Sequence, residues 1–478
     1  MTTRDIVRTA VIRTNPYWPF SSLNKMPYYV AIKAFIRLCK RFREIKSIYL
    51  RHGLVQGDWI PAISDIDLTV IIDSNLRVEQ EFLFLRSFWQ GYRGIKKLFP
   101  MIGEVEILND EQLGTWTKFG ARAYEAPGWR LVYGAEESRS GYIPVPVKLT
   151  RDYLNYAMWI YLRYFMEFFD SQKESPYLVS QDLKRLRSKI LRCLDSRNRA
   201  VTRNGACDPL SLNIGNVEVF GQVLNSLDEE ICRFNADSIP MANTERPVVL
   251  DRSDPLLQND EHIDLSGLAR LDGAIKSVVV NSFNKIFVVL ETALDAPTLK
   301  TCFEAMSRVF PEKNQMPVIV NASMFEYMLR HYEPFEYAPF IRRRKVLFGE
   351  DLLSNIPAPS RDSFSDFLLA RVPNLLTFPR SYAVTLGYAP TSFRIRELEG
   401  AVEQCLLLRL YLEKGVVRPW YHELRIECEK RYPEQFVTLR ALKESRDANL
   451  AQEWFGLLRG LSNDVQNCLG NSASTEHF

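Results

Sequence analysis

The run Tyr49-Leu50-Arg51-His52-Gly53-Leu54-Val55-Gln56-Gly57-Asp58-Trp59-Ile60-Pro61-Ala62-Ile63-Ser64-Asp65-Ile66-Asp67-Leu68-Thr69-Val70-Ile71-Ile72 decides how this 478-residue chain is read. It joins a glycine-bearing turn to two aspartates at the mouth of a strand. Ser64 to Ile72 has strand propensity and alternates with period two, so Asp65 and Asp67 point to one face. Two carboxylates so placed repel each other unless a divalent cation lies between them. Gly53 and Gly57 let backbone N–H groups approach an anion such as a phosphate. Asp-x-Asp alone favours the bland reading of a solvated strand end. A glycine-bearing turn that can approach a phosphate, followed at once by paired acids that call for a cation, reads as a site for Mg²⁺ and a nucleotide phosphate together. The run Ile102 to Leu108 is also strand-like, and in it Glu104 and Glu106 share a face.

These residues resemble the DNA polymerase β-like nucleotidyltransferase superfamily, whose signature is a Gly-Gly or Gly-Ser turn, a short loop, an Asp-x-Asp strand and a third acid on a neighbouring strand. Arg51 to Leu68 is similar to the run Arg-Gly-Ser-x-x-x-Gly-Asp-x-x-Pro-x-x-Ser-Asp-Ile-Asp-Leu of bacterial members, among them enzymes that adenylylate small molecules. One departure is that His52 stands where the family has its first Gly, and Gly53 where it has Ser or Gly. The resemblance implies metal ligation by Asp65, Asp67 and a third carboxylate. Glu106 is preferred there, because Val105 and Ile107 give it the family's hydrophobic-acid-hydrophobic setting, and Glu104 is the alternative. Arg51, His52, Gly53, Gly57 and Ser64 are then the residues expected around the nucleotide, with Lys46 or Arg51 countering developing charge.

The implied reaction is transfer of a nucleoside monophosphate from an NTP to a hydroxyl of a small-molecule acceptor, with release of pyrophosphate and with Mg²⁺ or Mn²⁺ as cofactor. Two other readings stay open: an acceptor that is a nucleic-acid 3′ end or a protein hydroxyl, and a nucleotide-binding scaffold without turnover.

Composition bounds these expectations. At 46% hydrophobic and 12% aromatic the chain can bury sizeable cores, and its length suggests two to four domains. Sixty-one basic against 58 acidic side chains leave +3, so overall charge calls for neither nucleic acid nor a membrane as partner. Eight scattered cysteines without Cys-x-x-Cys spacing are expected to be reduced thiols. Met1 to Pro19 lacks the apolar core of a secretory leader and no long apolar run follows, so a cytoplasmic enzyme is the expectation.

The chain also repeats itself. Glu44-Ile45-Lys46-Ser47-Ile48-Tyr49-Leu50 returns as Ala274-Ile275-Lys276-Ser277-Val278-Val279-Val280, and Leu68 to Ile72 returns as Ile286 to Leu290. A helix around Val78 to Leu98 and one around Ala296 to Phe310 each end at Phe-Pro. A strand, a helix and a closing strand follow in each half, ending at Gly134 and Gly349. Between its first two strands the second half has only Asn281 to Lys285, and Val318 to Val320 holds no acid. This points to a tandem duplication with a degenerate second copy.

The expected architecture is α/β (α+β): mixed-sheet cores flanked by helices, each followed by a helical bundle. The boundaries are an active core over 1–145, a helical bundle over 146–234, a linker over 235–264, a degenerate core over 265–356, a helical domain over 357–468 and a disordered tail over 469–478. The resemblance implies that helices packed beside such a core supply the acceptor pocket, the second copy being structural rather than a second active site.

Overall fold

The computed structural model of the protein describes residues 3–56, 59–119, 126–137, 146–166, 176–195, 216–238, 268, 271, 273–280, 285–291, 294–309, 317–343, 345–383, 392–415, 421–444 and 450–472. Two mixed four-stranded sheets flanked by helices carry the fold, which is α/β as expected. The first sheet is built from β1 (Ile45–Leu50), β2 (Ile66–Ile72), β3 (Ile102–Asn109) and β4 (Arg130–Gly134), in the order β3-β2-β1-β4. Its inner strands are buried nearly throughout, as continuous apolar runs require when both faces are covered. The pair β2–β3 is parallel, so a crossover must join them. Helix α4 (Val78–Leu98) supplies it, burying Phe82, Leu85, Phe88 and Trp89 at helical spacing.

The second sheet repeats the first strand for strand. It consists of β5 (Ile275–Val280), β6 (Ile286–Leu290), β7 (Val318–Asn321) and β8 (Lys345–Gly349), in the order β7-β6-β5-β8. Register repeats as well: Ile45 faces Ile72 and Ser47 faces Ile71, while Ile275 faces Leu290 and Ser277 faces Val289, with the same irregularity between each pair. Asn109 and Asn321 each cap the following helix by accepting an N–H, from Gln112 at 2.8 Å and from Met324 at 2.9 Å. Lys46 and Lys276 pair with the acid just past the second strand, Asp73 at 3.5 Å and Glu291 at 3.7 Å. Gly134 and Gly349 close the two sheets at φ +83 and +74, where a Cβ would lie 1.9 Å from Lys46 O and 2.2 Å from Lys276 O. Left-handed backbone pressed against a carbonyl admits only glycine at both places. The internal repeat is therefore a property of the fold and not only of scattered sequence words.

The helices do not stay with the core they follow in sequence. One compact unit combines 6–143 with 368–417 and 422–478, and the other combines 1–5, 144–367 and 418–421. In the first unit Trp116 Nε1 donates to Pro373 O at 2.9 Å, Trp89 Nε1 to Arg380 O at 2.8 Å and Ser462 Oγ to Leu375 O at 2.8 Å. Glu81, buried on α4, is held by Arg380 at 2.6 Å and Arg459 at 2.7 Å. In the second unit Tyr161 OH donates to Ile319 O at 2.6 Å and Phe220 packs on Phe303 at 4.8 Å. The main edges of the units, at 143/144 and 367/368, fall near the expected boundaries 145/146 and 356/357, but the segments between them are grouped out of chain order. The C-terminal helices cover the first sheet, and the helices between the cores cover the second.

Several segments differ in detail from expectation. The last helix, Leu450–Ser472, continues through the first residues of the stretch expected as a disordered tail, while 473–478 lie outside the described residues. The helix Asn216–Ser238 takes up the start of the expected linker, and 239–264 lie outside the described residues. In the helix Pro176–Leu194 the sequence clusters Lys184, Arg185, Arg187, Lys189 and Arg192, but Lys184 is buried and Arg185 lies 3.4 Å from Asp182. Before β1 stand two helices that the core pattern did not anticipate, α1 (Thr3–Thr14) and α2 (Phe20–Cys39). Among the described residues no helix is long and apolar enough to cross a membrane.

Candidate active site

Chain direction reverses between β1 and β2, and this turn places the candidate residues. His52 has φ +56, a left-handed conformation that favours glycine, at the position where the signature turn would have its Gly. Gly53 opens the short turn Gly53–Gln56, in which Val55 N–H donates to His52 O at 2.9 Å. Gly57 lies outside the described residues. The chain then closes a tight turn over Ile60 to Ser64. Ile60 N–H donates to Ser64 Oγ at 2.9 Å and Ser64 N–H to Ile60 O at 2.9 Å. Helix α2 braces that turn: Tyr28 OH donates to Ser64 O and accepts from Ala62 N–H, both at 2.9 Å. The Ser64 hydroxyl is therefore used to aim the chain entering β2.

That turn delivers Asp65 just ahead of β2 and Asp67 within it, the first exposed and the second half-buried. Both reach the neighbouring strand at Gly103. A Cβ on Gly103 would lie 2.6 Å from Asp65 Cβ and 2.7 Å from Asp67 Oδ1. The Glu104 N–H donates to Asp67 Oδ1 at 3.0 Å. Tyr92 OH donates to Gly103 O at 3.0 Å, and burial together with the Asp67 carboxylate pushes its phenol up to about 12. Gly103 and Tyr92 were not singled out from the sequence. A glycine inside a strand-like run is a signal for close backbone or side-chain approach, and here the approaching groups are the two aspartates.

The two candidates for a third acid have different fates. Glu106 is buried on β3, with Oε2 2.8 Å from Nη1 of the fully buried Arg51; the pair is close but outside hydrogen-bonding angles. Glu104 is exposed and accepts from Arg51 Nη2 at 3.1 Å. Arg51 also stacks over Trp116, its guanidinium carbon 5.9 Å from the ring centroid. It is thus a buried strut between the two glutamates. Lys46 lies at the opposite end of β1, some ~16 Å of strand away at ~3.3 Å per residue. There it pairs with Asp110 and Asp73, which hold its ammonium above the ordinary lysine range, Asp110 contributing most. It does not join the aspartates.

Among the described residues no group of three or more His, Cys, Asp or Glu is gathered as a metal cluster. What the structure gathers is a pair, Asp65 and Asp67, with the space between them kept by the missing side chain of Gly103. Hard carboxylate oxygens suit Mg²⁺ or Mn²⁺, and Mg²⁺ beside a nucleotide is commonly held by one or two carboxylates plus phosphate oxygens. Two further carboxylates, exposed Glu104 and buried Glu106, lie on the Arg51 guanidinium. Asp65 and Asp67 are the two oxygen donors that this place would offer a divalent cation.

At the matching place in the second sheet, Val318 faces Phe287 as Glu106 faces Thr69, and Lys285 stands just ahead of β6 where Asp67 stands in β2. No family model, curated protein or solved structure matches the chain.

Proposed function

We propose that the unit containing the first sheet is a metal-dependent nucleotidyltransferase that passes a nucleoside monophosphate from an NTP to an acceptor hydroxyl, of a small molecule in the first instance, releasing pyrophosphate. The observation that carries this reading is the convergence of Asp65 and Asp67 on Gly103, directly after a turn whose left-handed residue, His52, stands at the signature's glycine position.

In this reading Asp65 and Asp67 hold Mg²⁺ or Mn²⁺, and Glu104 completes the rim. The ion, when bound, neutralises the triphosphate and acidifies the attacking hydroxyl. Ser64 and Tyr28 fix the direction from which the aspartates enter, so that little reorganisation is needed on binding. Arg51 orients Glu104 and holds Glu106 in its buried place. Exposed Glu104 is the better placed carboxylate to accept the acceptor's proton, while Glu106 sets the position of Arg51. The second sheet, with Val318 and Lys285 at the equivalent positions, has a structural role. Cytoplasmic action on a soluble acceptor belongs to the same proposal.

The test is incubation of the protein with each α-labelled NTP, Mg²⁺ or Mn²⁺ and a cell extract, followed by identification of the labelled species. Label transfer that Asp65→Asn abolishes supports the reading. Nucleotide binding without transfer under any metal or extract would replace it with a nucleotide-binding scaffold.

A further inference from the structure

The first 43 residues hold nine basic side chains and one acid, in a chain whose total charge is only +3. They form α1, α2 and the turns that flank them, and α2 has two distinct faces. Tyr28, Ala31, Ile32, Phe35, Leu38 and Cys39 are buried, with Phe35 packing edge-on against Phe88 of α4 at 6.1 Å. Away from that core, Leu23, Met26, Val30, Lys33 and Arg37 follow one another at spacings of three and four residues, and all five are exposed. Such spacing draws a single stripe along a helix. Its first three positions are apolar and its last two cationic. At the apolar end the chain adds Tyr17, Phe20 and Trp18, which is 84% exposed. At the cationic end it adds exposed Lys40, Arg41 and Arg43. The lone acid, Asp5, is buried.

We propose that α2 and the residues leading into it form a docking element for an anionic lipid surface, with the aromatic end seated among the headgroups and the basic end held by lipid charge. Trp and Tyr favour the membrane–water boundary, and an aliphatic stripe next to unopposed lysine and arginine is the pattern of an interfacial helix. Charge decides against a second copy of this chain as the occupant. In a parallel pairing of two such stripes Lys33 and Arg37 meet their own counterparts. In an antiparallel pairing the partner's cations lie on Leu23, Met26 and Val30. An anionic surface satisfies both halves of the stripe at once. The element is also rigidly joined to the candidate site, since Tyr28 of α2 and Arg8 of α1 hold the turn that leads to Asp65. The docking inference stands independently of the transferase reading, because it concerns different residues and a different measurement.

The experiment is co-sedimentation of the full-length protein with large vesicles of phosphatidylcholine alone or of phosphatidylcholine and phosphatidylglycerol at roughly three to one, at low and high salt. The protein is expected to sediment with the anionic vesicles and to be released by salt. Replacing Leu23, Met26 and Val30 by Ser should lower partitioning at least about tenfold, and Lys33→Ala with Arg37→Ala roughly thirtyfold. Both sets of side chains point outward, so melting temperature should stay at the wild-type value and nucleotide binding should not change. Lack of sedimentation with anionic vesicles, equal sedimentation with neutral ones, or indifference to both sets of substitutions would overturn the proposal. So would a concentration-dependent dimer that the serine substitutions dissolve in the absence of lipid.

Discussion

Replacing Gly103 by Ala tests the candidate site with one added methyl group. The new Cβ would lie 2.6 Å from Asp65 Cβ and 2.7 Å from Asp67 Oδ1, where ordinary contact begins at 3.4 Å. The Asp67 oxygen is the end of a flexible side chain and can swing away, at the cost of its 3.0 Å bond from the Glu104 N–H. The Asp65 Cβ is fixed to the backbone, so that strand end must retreat by about 0.8 Å, four times the tolerance of roughly 0.2 Å in a metal–ligand distance. Overpacking of this kind costs about 1–3 kcal/mol of stability, and misplacing a reacting geometry by ~1 Å costs on the order of a hundredfold in rate. The expected result is a folded variant with a modestly lower melting temperature, transfer reduced by roughly a hundredfold, and loss of the thermal stabilisation that Mn²⁺ plus NTP gives the parent. Gly349→Ala is the comparison: its Cβ would meet Lys276 O at 2.2 Å in the other unit, so it should lower stability without touching nucleotide-dependent stabilisation. Wild-type turnover and an unchanged ligand-induced shift in Gly103→Ala would refute the placement of the site.

Asp65→Asn and Asp67→Asn should each abolish transfer while melting temperature holds or rises, since each relieves repulsion between the acids; retained turnover in either rules out metal ligation there. Arg51→Met removes the guanidinium beside buried Glu106 and should cost about 3–5 kcal/mol, measured by denaturant unfolding, with the double change Arg51→Met, Glu106→Gln recovering much of it. Glu81→Gln strips the carboxylate from between Arg380 and Arg459 and should cost a similar ~3–5 kcal/mol; a loss under ~1 kcal/mol would mean that the network does not hold the C-terminal helices to the first sheet. His331 is held at about 3, below its ordinary 6.5, by burial first and then by Arg330 and Arg151. Its folded form resists a proton that the unfolded chain accepts, so stability should fall as pH drops from about 6.5 toward 3, by on the order of 4 kcal/mol in total from this group, and His331→Asn should flatten that part of the pH profile.

The sheets were legible because their strands are apolar on both faces and bounded by turn residues. Val78 to Leu98 was legible as a helix for the complementary reason, a clear 3.6-residue stripe of Phe, Leu and Trp. Asp65 and Asp67 could be read as neighbours, because a period of two dictates which side chains share a face. The partner of Glu106 could not. Arg51 follows β1 and Glu106 sits in β3, with β2 between them in the sheet, and no local pattern encodes a pairing across an intervening strand. The flanks of Glu106 gave it the hydrophobic-acid-hydrophobic setting of the family's third acid, and the fold buries it against Arg51 while leaving Glu104 exposed. The basic, apolar face of α2 was hidden by arithmetic: summed over the whole chain, its positive charge is cancelled by the acidic remainder.

Helix exchange between the two units was illegible for a different physical reason. Amphipathic periodicity reports that a helix has a face to bury, not which surface will cover it. Leu450–Ser472 and Asn216–Ser238 have comparable apolar faces, and each follows one core in sequence while packing with the other. Specificity comes instead from side chains that meet only in the folded state. Glu81 selects Arg380 across 299 residues, Trp116 selects the Pro373 carbonyl across 257, and Tyr161 selects the Ile319 carbonyl across 158. Loop-closure entropy grows only slowly with such separations, so the arrangement is cheap at equilibrium and slow to reach. Helix α4 is covered in part by α2, through Phe35 on Phe88, but its Glu81 and Trp89 find their partners only in Arg380 and Arg459 of the C-terminal helices. The core beside the candidate site is therefore tied to segments distant in sequence: Trp116, which packs on Arg51, donates to the Pro373 carbonyl, although the site's acids all lie between Asp65 and Glu106.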